Sequence, residues 1–148
     1  MSKHNHVAVY IKFFESLTPQ TPKKFYEEIF DAHATFDDPF QKVTGIESID
    51  ALFEHMYETL IDPEFKVTES ICENDICYLR WVFTYKRDPK GDRTSFIGVS
   101  RVQFSDEGKG LSHIDYWDAS EQFYMKLPII GALLRFIQHQ ASAIKATS

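Results

Sequence analysis

The sequence predicts an α+β fold in which helices gather on one face of a bent antiparallel sheet. Three observations carry that expectation. Apolar residues recur at helical spacing through most of the first sixty positions and alternate at strand spacing from Phe65 to Trp117. The strand-like segments are joined by turn sequences at 73–76 (ENDI), 88–92 (DPKGD) and 105–110 (SDEGKG). Such links are too short for parallel crossovers. Helices grouped ahead of strands, rather than alternating with them, point to segregated layers.

Val7, Tyr10, Ile11 and Phe14 follow the i, i+3, i+4, i+7 pattern of an amphipathic helix ending before Thr18-Pro19. Thr21-Pro22 matches a capping residue followed by proline at the first helical position, opening a short helix with Phe25, Ile29 and Phe30 inward. Over 34–40 the period changes to two. Phe36, Asp38 and Phe40 share one strand face, and Pro39 confines the strand to an edge or ends it. After Gly45, a third helix is expected from Ile46, Ile49, Phe53, Met56, Tyr57 and Leu60, closed by Asp62-Pro63. Strands follow over 65–72, 76–86, 95–104 and 111–117. Asp118 to Glu121 resembles a capping box, and Ile130, Leu133, Leu134, Ile137, Ala141 and Ile144 predict a last amphipathic helix. The expectation is one domain over 1–148, with 127–148 a helical extension.

Composition narrows the function. Sixteen basic against 22 acidic residues give a net charge of −6, which lacks the footprint of a nucleic-acid binder. The apolar run over 127–134 is far too short to span a bilayer, and the first fifteen residues hold no signal-peptide core, so a soluble cytoplasmic protein is expected. Cys72 and Cys77 flank a turn and could face each other across a hairpin, but a reducing compartment favours two thiols. No cysteine–histidine pattern with ligand spacing is present, so neither metal nor cofactor is expected. The 22 aromatics (13 Phe, 7 Tyr, 2 Trp) need either a large core or a cavity to line.

Two sets of residues could carry chemistry. Asp38 sits among Phe36 and Phe40, where lost hydration would raise its pKa toward that of a general base. The alternative is that, beside Pro39, it simply bonds turn amides. His113, Asp115 and Trp117 alternate along one strand and so point the same way, either into a pocket or toward solvent. Tyr10 and Tyr57 lie on core-facing helix stripes and could offer hydroxyls, while Trp81 shares a strand face with Leu79 and Phe83. Gly98 and Ser100 share one face of the third strand, where a mid-strand glycine marks close approach of another group.

Taken together, Ala34-Thr-Phe-Asp-Asp-Pro-Phe40, the Gly45-Ile-Glu-Ser-Ile helix start and His113-Ile-Asp-Tyr-Trp-Asp118 resemble the nuclear transport factor 2-like superfamily. The similarity is to its SnoaL-like and ketosteroid isomerase-like branch, over roughly residues 7 to 126. The resemblance implies a cone, with helices wrapped around a strongly curved sheet and a deep pocket, and a homodimer formed through the outer sheet face. It assigns Asp38 to the position of the isomerase base and Trp117 to the pocket wall, with His113 and Asp115 beside it. The three ionisable groups Asp38, His113 and Asp115 are then expected to converge among aromatics in catalytic roles, Asp38 as base and His113, oriented by Asp115, returning a proton or polarising a carbonyl. Ligand contacts would come from Tyr10, Phe14, Phe36, Phe40, Phe53, Tyr57, Trp81, Ser100 and Trp117. The second, neutral acid of the isomerases has no counterpart, since Gly98 or Ser100 stands near its place. The expected function is binding of a small hydrophobic or carbonyl-containing molecule, with cofactor-free isomerase, cyclase or dehydratase chemistry. The alternatives are a non-catalytic binder and a dimeric interaction module.

Overall fold

The computed structural model describes residues 3–119. The chain divides into two compact units, Met1–Tyr116 and Trp117–Ser148, and the first holds every described element. The order is α1 (Lys3–Glu15), α2 (Lys23–Ile29), β1 (Phe30–Asp37), β2 (Lys42–Thr44), α3 (Ile46–Thr59), β3 (Ile61–Glu73), β4 (Ile76–Lys86), β5 (Thr94–Phe104) and β6 (Gly110–Tyr116). The expected capping box after Asp118 and the last amphipathic helix lie outside the described residues.

The fold is α+β. One six-stranded curved sheet runs β2-β1-β6-β5-β4-β3, and the three helices pack against it. Register shifts in the β1–β6, β3–β4 and β5–β6 pairs are the irregularities that let a sheet bend. The shift in β3 coincides with Asp62, whose φ is +49°, and Pro63, a residue tolerated in strands at such irregular positions.

The sheet is mixed, not wholly antiparallel. Four pairs are antiparallel, but β1 and β6 run parallel, with Phe36 opposite His113. Hairpin turns fix direction only between consecutive strands, and 72 residues (38–109) separate β1 from β6. β1 also starts and ends earlier than the sequence period suggests. It follows directly on α2 and stops at Asp37, which places Asp38 and Phe40 in a turn. The three-residue β2 is too short to show alternation.

Other differences are local. Thr21 does not cap α2; its hydroxyl accepts the Thr18 amide at 2.9 Å. Phe25 is 41% exposed, and Tyr26 and Ile29 form the buried stripe instead. Cys72 and Cys77 are not thiols. They are direct cross-strand partners, 4.1 Å apart at Cα, and form a disulfide. The intervening turn uses Asn74 at φ +56°, a left-handed conformation that asparagine tolerates. Among the described residues no helix is long and apolar enough to cross a membrane.

The core lies between the helices and the inner sheet face. In β4, Cys77, Leu79, Trp81, Phe83 and Tyr85 are buried at alternate positions. From the helices, Tyr10, Phe13, Phe14, Tyr26 and Phe53 meet Phe30 and Phe36 of β1 in a continuous cluster of tilted and edge-to-face rings. Each such pair contributes about 0.5–1.5 kcal/mol beyond its buried area. Much of the aromatic excess is therefore spent on ring-to-ring packing.

Candidate functional site

One polar group of side chains is set into this aromatic core. Ser100 of β5 and Asp115 of β6 are opposite each other in register, and Leu79 of β4 lies opposite Ser100 on the other side. His113 is two residues before Asp115 and therefore on the same face. Trp81, two residues after Leu79, lies opposite Gly98, and an added Cβ there would fall 2.3 Å from the indole. The glycine thus gives the ring room to lie across β5.

These residues form one hydrogen-bonded chain. The Trp81 indole Nε1 donates to Ser100 Oγ at 2.8 Å, and Ser100 Oγ donates to Asp115 Oδ1 at 2.5 Å. His113 Nε2 lies 2.7 Å from the same carboxylate oxygen, and His113 Nδ1 lies 2.6 Å from the Tyr10 hydroxyl. With Asp115 ionised and His113 neutral, Nε2 carries the proton toward Asp115 and Nδ1 accepts from Tyr10. Donors thus converge on Oδ1 from both ends of the chain, whereas Oδ2 takes part in neither bond. Phe36 stacks on the His113 ring at 4.3 Å and 11°, fixing its plane.

Beside this chain is a cavity of about 20 Å³, room for roughly one water molecule. Phe14, Phe36, Phe53, Phe65 and Trp81 supply its aromatic wall, and Ser100, His113 and Asp115 its polar side. Among the described residues it is a small recess.

The candidate residues separate clearly on this geometry. Phe14, Phe36, Phe53, Trp81, Ser100, His113 and Asp115 line the recess. Tyr10 stands behind His113, 1% exposed. Tyr57 packs against the edge of the core, and burial pushes its phenol up to about 12. Phe40 is 41% exposed in the turn after β1. Trp117 follows β6 and belongs to the second unit.

Asp38 also stands apart from the recess, because β1 ends before it. Its Oδ1 accepts the amides of Phe40 at 2.8 Å and Gln41 at 3.0 Å, the turn-capping role open to it. Burial raises its pKa, the two amide bonds oppose the rise, and the charges of Asp115 and Asp37 add to it. Sequence reasoning missed Ile11, Phe65, Val67 and Leu79. The signal was available, since Phe65 and Val67 alternate and pair with Phe83 and Trp81.

Tyr10 yields a pH prediction. Burial, and then the charge of Asp115, hold its phenol well above the ordinary value of 10.0. The stability this contributes is complete below pH 10 and is lost as pH rises toward the folded-state value. Tyr10→Phe should cost about 1–3 kcal/mol at pH 7, because His113 Nδ1 loses its donor. It should also flatten the alkaline loss of stability in urea titrations, leaving the part due to Tyr26 and Tyr57.

A family model described as the SnoaL-like domain matches residues 10–113. The chain belongs to the SnoaL-like family. No curated protein sequence matches it significantly. Among solved structures, it is similar to a protein with a ketosteroid isomerase-like fold from Catenulispora acidiphila in complex with trimethylamine. That match has 15% identity and a TM-score of 0.67, and covers 79% of this chain and 88% of the other. It is also similar to a protein provisionally described as a SnoaL-like polyketide cyclase from Jannaschia sp. CCS1, at 17% identity and a TM-score of 0.67, covering 76% and 85%. A third is TerC co-crystallised with polyporic acid, at 12% identity and a TM-score of 0.68, covering 80% and 93%. At these identities the likeness is one of fold.

Proposed function

We propose that this SnoaL-like domain binds a small, largely apolar molecule at the recess and moves a proton to or from it without a cofactor. Asp115 is the group that exchanges the proton, through Oδ2. His113 and Ser100 are positioning residues that hold the carboxylate by Oδ1. The observation that carries this reading is a carboxylate pinned on one oxygen by two donors inside an aromatic wall. A general base needs that combination of fixed geometry and restricted hydration. It differs from the sequence expectation in moving the base from Asp38 to Asp115. Two of the structural relatives were crystallised with small organic molecules, which supports ligand binding as the shared use of the fold. The test is solvent-deuterium exchange into a panel of carbon acids, including cyclic enones, polyketide-like carbonyls and cyclic iminium ions, followed by NMR. Exchange no faster than in buffer across the panel sinks the catalytic reading. If compounds still bind, a non-catalytic binder remains.

A second surface supports a homodimer. On the outer sheet face Tyr78, Ile97 and Tyr116 are 48%, 53% and 55% exposed, in a patch on neighbouring strands that also holds Arg80 and Arg101. Such clustered apolar area marks an interaction site. Ile97→Glu should convert a dimer to a monomer in light scattering at micromolar concentration. A wild-type chain that is already monomeric there refutes the dimer.

A further inference from the structure

Among the described residues, the donors of the recess are all engaged. Four side chains in or behind it carry N–H or O–H groups: Trp81, Ser100, His113 and Tyr10. Trp81 gives its proton to Ser100, Ser100 and His113 give theirs to Asp115, and Tyr10 gives its own to His113. If Nδ1 of His113 instead carries a proton, it donates to the Tyr10 oxygen and the Tyr10 O–H is free to donate elsewhere. That hydroxyl, however, is fully buried behind His113 and does not line the recess. Among the described residues no lysine or arginine lines it either. Among the described residues the recess therefore presents to a ligand a charged acceptor, Asp115, whose Oδ2 is outside the hydrogen-bonded chain, and no free donor.

An acceptor-only site has a definite preference. A carbonyl oxygen placed there would find no donor and would face a carboxylate, and an enolate formed from it would meet like charge. A ligand N–H⁺ would instead satisfy Oδ2, neutralise a carboxylate set in low-dielectric surroundings, and lie among aromatic rings that attract cations. An ammonium head is close to a water molecule in size, which is what the 20 Å³ recess holds. We infer that the recess selects small organic cations bearing an N–H group, such as alkylammonium or protonated imine compounds, over neutral carbonyl compounds. This rests on the recess being the ligand site and narrows the ligand class.

Three probes of nearly equal shape test it on the full chain at pH 7: isopropylammonium, isopropanol and acetone. The readout is the Trp81 indole N–H resonance, distinguished from that of Trp117 by a Trp117→Phe spectrum. Isopropylammonium should bind at least tenfold more tightly than acetone, with isopropanol between them, and Asp115→Asn should remove the difference. Acetone binding as tightly as isopropylammonium overturns the inference, as does an ammonium response that persists in Asp115→Asn, which would reflect the −6 net charge alone. If only larger neutral probes shift the resonance, the recess remains a ligand site and the charge preference is wrong. If no probe of any kind does, both readings fall.

Discussion

Asp115→Asn should lower proton exchange into an accepted substrate by roughly 10²–10⁴-fold, the usual contribution of a positioned general base. The amide is nearly isosteric and can still accept from Ser100 and His113, so the fold should survive and a thermal melt should show a modest change. Its failure to lower the rate would remove Asp115 from the reaction. Asp38→Asn is the informative partner variant. Its amide oxygen can keep the bonds to Phe40 and Gln41, so activity should remain within a few-fold of wild type. Because burial raises the Asp38 pKa, ionisation of this group opposes folding. The stability it contributes is complete below its ordinary pKa of 3.8 and declines as pH rises through the folded value. The asparagine variant should accordingly be no less stable than wild type at pH 7. A large loss of rate in Asp38→Asn, with Asp115→Asn active, would restore Asp38 as the base.

Gly98→Ala should be the most damaging single-methyl change in the sheet, at about 2–3 kcal/mol, near the upper end of overpacking effects. The new Cβ would stand 2.3–2.9 Å from three atoms of the Trp81 indole, and these belong to a rigid ring that cannot yield. Moving the ring aside breaks its bond to Ser100 and loosens the carboxylate that Ser100 holds. The variant should therefore lose activity as well as stability. Trp81→Phe in the same chain should recover part of the stability, because the smaller ring leaves room for the methyl group, but not the activity. Additive urea midpoints for the two substitutions would show that the clash is not the cause.

The periodic elements were legible because each is long enough to repeat its pattern. The eleven residues of β4 alternate without a break, and α3 repeats its apolar stripe over fourteen residues. The alternation of His113 and Asp115 was legible for the same reason, and the resemblance assigned them to the inner face. Asp38 was harder to place because two local rules compete there. Alternation carries it inward, whereas Pro39 ends the strand and the aspartate caps its own turn. The parallel partnership of β1 with β6 left no mark on the sequence, since no turn connects them. Nor could composition separate rings that fill a core from rings that line a cavity. That depends on how closely Tyr10, Phe14, Phe36 and Phe53 approach one another, which is a property of the packed chain.

The parallel seam has a consequence for how the polar centre comes into being. His113 touches Phe36 across that seam and Tyr10 across 103 positions of sequence. No hairpin can assemble these groups locally, so the centre requires the most distant loop closure in the unit, between α1 and β6. Contacts of such separation are the slow ones, because the chain must give up the entropy of the intervening loop before they return anything. A ribosome-bound chain that has not yet released β6 can build the β3–β4–β5 meander but lacks His113, Asp115 and, among the described strands, the one neighbour of β1 besides β2. Completion of the six-stranded sheet and assembly of the polar centre are thus the same event.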